Sequence, residues 1–68
     1  MLYILKIKGT GKIPDFVQIR DEKMTLIAYF RLSQIEKGLI KNNLEKEVKN
    51  ISKLLEDIPY GKIHKYDN

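Results

Sequence analysis

Apolar and polar positions alternate at the start of the chain. In LYILKIK (2–8), Tyr3, Leu5 and Ile7 share one face, while Ile4, Lys6 and Lys8 share the other. A period of two is that of a half-buried strand. Two glycines and a proline break the pattern in GTGKIP. Alternation resumes over DFVQIR (15–20), with Val17 and Ile19 on one side and Phe16, Gln18 and Arg20 on the other. The link DEK lacks glycine and fits a three- or four-residue hairpin on a type I turn, with Lys23 left-handed. MTLIAYFR (24–31) is apolar on both faces, which predicts a strand at the centre of the sheet.

The period then lengthens. SQIE (33–36) fits a capping box, Ser33 accepting from the first turn's amides and Glu36 reaching back. Ile35, Leu39 and Ile40 make a narrow apolar stripe, and Gly38 weakens this short helix. NNLE (42–45) reads as a second cap, with Asn42 and Glu45 in the same roles. Leu44, Val48, Ile51, Leu55 and Ile58 follow at spacings of 4, 3, 4 and 3, one face of a helix with Leu54 at its flank. Two heptads are too short for a coiled coil, so this stripe is assigned to the chain's own sheet. Glu45–Lys49 and Lys53–Asp57 are i,i+4 pairs, worth about 0.3 kcal/mol each. Pro59 stops the helix. Residues 62–66 read either as a short fourth strand or as a tail.

The sum is a single α+β domain spanning 1–68. A three-stranded antiparallel meander (2–8, 15–20, 24–31) carries two helices (33–41, 43–57) on one face and leaves the other face free. A chain of 68 residues buries only about 60% of the surface its unfolded form exposes. Domains below about 70–80 residues often need a staple or a partner. The absence of cysteine excludes disulfides and thiolate metal sites. Core packing, oligomerisation or docking into something larger must then supply stability.

No apolar run approaches the roughly 18 residues a membrane span requires. The apolar N-terminus lacks the basic segment and small-residue cleavage site of a signal peptide. Thirteen Lys and Arg face nine acids, a net charge of +4 that attracts anions. Ten Ile and eleven Lys, however, match the drift of an AT-rich genome, so the charge alone does not indicate a polyanion.

Gly9-Thr10-Gly11-Lys12 is the one stretch that looks like a phosphate cradle. A P-loop needs G-x-x-x-x-G-K-[ST] opening a helix. Here the glycines stand two apart, Ile13 occupies the hydroxyl position, and Pro14 leads into a strand. The stretch is assigned as a connection between strands. His64 is the only histidine and reads as exposed, with no partner for a metal site or a triad. The carboxylate pairs Asp21-Glu22 and Glu56-Asp57 sit in a turn and at a helix end, where nothing tunes them for acid–base work. No catalytic residue, cofactor or metal is expected.

The free sheet face is the surface left to carry a function. With Val17, Ile19, Leu26, Ala28 and Phe30 toward the helices, Lys6, Lys8, Phe16, Gln18, Arg20, Ile27, Tyr29 and Arg31 point outward. Phe16, Ile27, Tyr29 and Arg31 then form an apolar centre with a cationic rim, the make-up of a protein interface or self-association surface. The same face offers a second reading as an RNA or single-strand binder. Lys6, Lys8, Arg20 and Arg31 would hold phosphates and Phe16 and Tyr29 would stack on bases. An exposed apolar patch on a marginal domain favours the protein partner. The edge strands of an open meander offer unpaired amides as well.

PDFVQIRDEKMTLIAYFRLS (14–33), with PYGKIHK (59–65), resembles a small conserved-hypothetical protein family of cyanobacteria and red-algal plastids. The resemblance covers most of the chain. It implies a cyanobacterial cytoplasm or plastid stroma and carries no catalytic residues.

Overall fold

The computed structural model describes residues 1–67. Four strands, β1 (Leu2–Ile7), β2 (Phe16–Arg20), β3 (Leu26–Arg31) and β4 (Ile63–Tyr66), form one antiparallel sheet in the order β3-β2-β1-β4. Helices α1 (Ile35–Lys41) and α2 (Val48–Asp57) cover one face. The α+β meander with helices on one side is therefore the fold of this chain, and residues 63–66 are a strand that pairs with β1.

The core lies between the sheet and the helices. Leu2, Ile4, Val17, Ile19, Ala28 and Phe30 rise from the strands, and Leu39, Ile51, Leu55 and Ile58 come down to meet them. The stripe foreseen on the second helix is the packed one, with Leu44, Val48 and Leu54 half-buried at its margin. Ile40 leaves the stripe of the first helix and is exposed. Gly38 is needed there rather than tolerated. It is buried, and a Cβ built on it would overlap the Phe30 ring. α1 lies close on β3 because this residue has no side chain.

Several local expectations are corrected. β3 is an edge strand, not a central one, and Leu26 is 44% exposed rather than turned inward. A bulge sets Leu26 and Ile27 opposite the single Arg20, so the alternation slips there. The hairpin is built on Asp21, whose carbonyl accepts from the Met24 amide at 2.9 Å. Its carboxylate takes the amides of Lys23 and Thr25 at 2.9 and 3.0 Å. The left-handed residue is Met24 (φ 64°), not Lys23.

Neither capping box forms. Ser33 lies in a 3₁₀ turn (Leu32–Gln34), and α1 starts without a side-chain cap. Asn42 and Asn43 end α1 instead of starting α2. Asn42 Nδ2 donates to the Gly38 carbonyl at 2.7 Å. Asn43 turns left-handed at φ 62°. The Leu44 amide then reaches the Leu39 carbonyl at 2.8 Å and the Asn43 amide reaches that of Ile40 at 3.2 Å. These two bonds are a Schellman stop. A 3₁₀ turn at Glu45–Glu47 leads into α2, which therefore begins at Val48 rather than at 43. The two i,i+4 pairs are not closed, since the only ion pair among the described residues joins the Met1 ammonium to Glu22 at 3.5 Å.

Candidate functional site

The register fixes what the uncovered face carries. Reading across from β3, one row holds Arg31, Phe16 and Ile7; the next holds Tyr29, Gln18, Leu5 and Ile63; the third holds Leu26, Arg20, Tyr3 and Lys65. Apolar and aromatic groups fill the middle, and the cations stand at the ends. Tyr29 (53% exposed) and Ile63 (56% exposed) are open to solvent. The Phe16 and Tyr29 rings stack with centroids 4.9 Å apart and 17° between planes. Such a stack holds both rings in place.

β1 has the opposite register to the one expected. Leu2, Ile4 and Lys6 face the helices, and Tyr3, Leu5 and Ile7 face outward. Lys6 is only 6% exposed, and its Nζ donates to the Leu55 carbonyl at 2.7 Å. That carbonyl lies in the last turn of α2, where a helix has orphan acceptors and a negative dipole end. The ammonium satisfies both, while the aliphatic stem packs between sheet and helix. Lys6 thus acts as a cap, reached through the core from another element. Lys8 is also drawn away, its Nζ lying 5.3 Å from the Tyr60 ring centre, with Lys6 Nζ at 4.5 Å from the same ring.

Arg20 is half-buried, and its guanidinium is spent on the hairpin. It donates to the Met24 carbonyl at 3.0 Å and to Gln18 Oε1 at 3.4 Å. Ile27 packs against the core margin instead of joining the exposed patch. Of the residues expected at the interface, Phe16, Tyr29 and Arg31 come together on the open face. Of those expected to hold phosphates, only Arg31 has both the placement and the freedom to do so.

A polar cluster closes the end of the sheet. Asp15 Oδ1 accepts the Gly9 amide at 2.6 Å, and Oδ2 accepts the Tyr60 hydroxyl at 2.7 Å. The Gly9 hydrogen bond, then that of Tyr60, holds the Asp15 carboxyl below the usual carboxylate range. The same contact raises Tyr60 above the ordinary phenol value. The Gly61 amide donates to the Lys6 carbonyl at 2.8 Å, tying in the turn that carries Tyr60. The loop containing GTGK does bind an anion at its first glycine, but the anion is the chain's own Asp15. Its path is tight, since a Cβ on Gly9 would overlap the Ile13 carbonyl. The Ile13 amide closes the turn on the Thr10 carbonyl at 2.6 Å. Asp15 and Tyr60 were not singled out from the sequence. The one available signal was an aspartate just after a Gly-Pro break, which is a common turn feature.

His64 is exposed on β4, opposite Ile4. Among the described residues no cluster of three or more His, Cys, Asp and Glu side chains is placed to hold a metal ion. No helix among them is long and apolar enough to cross a membrane. No protein-family model, no curated protein and no solved structure matches this chain.

Proposed function

We propose that this chain is a small non-enzymatic adaptor or accessory subunit that binds a protein partner through the open side of its sheet. The observation that carries the reading is the uncovered apolar face centred on the Phe16–Tyr29 stack. Covering such a patch releases water from apolar surface, at roughly 25 cal/mol per Å². A rigid aromatic pair with a neighbouring Arg has the composition of an interface hot spot. The site of action proposed is a cyanobacterial cytoplasm or plastid stroma.

The nucleic-acid reading is the weaker one. Its phosphate-binding set has lost Lys6 to the core, Lys8 to the Tyr60 side and Arg20 to the hairpin. The test is quantitative capture of proteins from the source cells by wild type and by Tyr29→Asp, with the fold of each checked by circular dichroism. A defined partner retained by wild type and lost from the variant is expected. Equal capture by both proteins would overturn the reading. So would tight binding of a labelled single-stranded RNA that weakens steeply with salt and is lost in the same variant.

A further inference from the structure

We infer that the partner docks as an extended, acidic segment that adds a strand along β3. The inference rests on the protein-binding reading above and names the chemistry of the partner. β3 ends the sheet, so its outer amides and carbonyls have no neighbouring strand. Six residues of strand, Leu26–Arg31, offer a docking edge roughly 20 Å long.

A cleft of about 320 Å³ runs beside this edge. Tyr29 and Arg31 line it from the open face, Gln34 from the 3₁₀ turn before α1, and Lys37 and Lys41 from α1. Gly38 lies at its inner side, packed directly against the Phe30 ring. Lys37, Lys41 and Arg31 are exposed, and none has a carboxylate within 4 Å among the described residues. Three uncompensated cations along one edge bar a second copy of this chain. Pairing β3 with β3 would bring the same charges together, the device by which natural edge strands avoid self-association. The same charges favour an acidic partner.

The geometry also sets the pattern of the segment. Side chains of an added strand alternate between the two sides of the sheet. Those on the open side meet Tyr29 and are apolar. Those on the other side meet Lys37 and Lys41 and are Asp or Glu. Backbone pairing supplies affinity and the alternate side chains supply specificity, as in other cases of strand addition.

The probes are two synthetic peptides of the same length, one alternating Glu and Val, the other Lys and Val. Titration of the full chain is followed by fluorescence anisotropy, with amide hydrogen exchange read for each residue. The Glu–Val peptide is expected to bind, to slow exchange along β3 and to weaken with added salt. Lys37→Glu with Lys41→Glu, both on the exposed side of α1, should cost about tenfold or more in affinity. Equal binding of the two peptides, protection that spares β3, or no binding at low salt each overturn the inference. Self-association through β3 that the double variant alters would do so as well. Peptide failure alongside Tyr29-dependent capture of a protein would leave the broader reading standing. Capture indifferent to Tyr29→Asp would remove that broader reading itself.

Discussion

Gly38 shows how far a residue's meaning depends on its neighbours. By helix propensity alone, Gly38→Ala should stabilise a helix by about 1 kcal/mol. The Phe30 ring occupies the space the methyl would take, and overpacking a core costs about 1–3 kcal/mol. The expected outcome is a net loss, read as a lower midpoint in thermal unfolding; a higher midpoint would refute the close approach. Asp15 is legible only in three dimensions, because Gly9 and Tyr60 come from separate stretches of the chain. Its carboxyl is held below its ordinary value by the Gly9 amide and then the Tyr60 hydroxyl, aided by Lys8 and Lys6. A depressed carboxylate stabilises the fold above its unfolded value, about 4, and that contribution disappears as pH falls through the folded value. Asp15→Asn should therefore unfold at a lower temperature than wild type at about pH 7. The gap should close as the solution is acidified past the carboxylate range. A gap independent of pH would mean that the contact works by shape, not charge.

The helix boundaries depend on which of two roles one asparagine pair takes. NNLE has the composition of an N-cap, and the same residues can close the preceding helix. The second role wins because Asn43 can adopt φ 62° and thereby deliver Leu44 to the core. Asn43→Val puts a β-branched side chain into that left-handed conformation, at a cost of about 1–2 kcal/mol. Urea unfolding should show the loss, and an unchanged midpoint would argue against the stop as described. The first three strands were legible in approximate extent because alternation is local, whereas the fourth strand and the edge position of β3 depend on which strands pair at a distance. The register of β1 was not, since LYILKIK is apolar on one face and mixed on the other. The mixed face is the buried one, with Leu2 and Ile4 in the core and Lys6 accommodated by its reach to the end of α2.

The proposed function assigns stability and binding to opposite sides of the sheet. Lys6→Met keeps the aliphatic stem but leaves the Leu55 carbonyl without its charged donor, at a cost of about 1–3 kcal/mol. The variant should melt earlier and still bind the partner as wild type does. Tyr29→Asp should behave in the opposite way, changing stability by less than about 1 kcal/mol while abolishing association. If both variants lost binding and stability together, the sheet would not divide in this manner. The charge follows the same division. No strand residue on the open face is acidic, whereas Glu36, Glu45, Glu47, Glu56 and Asp57 belong to the helical layer and its turns. Of the cations expected on the open face, only Arg31 is both placed there and free of other contacts, because Lys6, Lys8 and Arg20 are engaged elsewhere.

Periodicity in the chain settled that there would be antiparallel strands followed by two helices, and which stripe of the second helix would pack. Those are local matters, fixed by the backbone's period and by where apolar side chains recur. The candidate site had to wait for the tertiary structure. Which face of β1 is buried, which strand lies at the edge and which cations remain free all depend on contacts between distant residues. A one-residue difference in facing turns every side chain of a strand over. Here it moved Lys6 from the expected binding surface into the core and left Tyr3, Leu5 and Ile7 in its place.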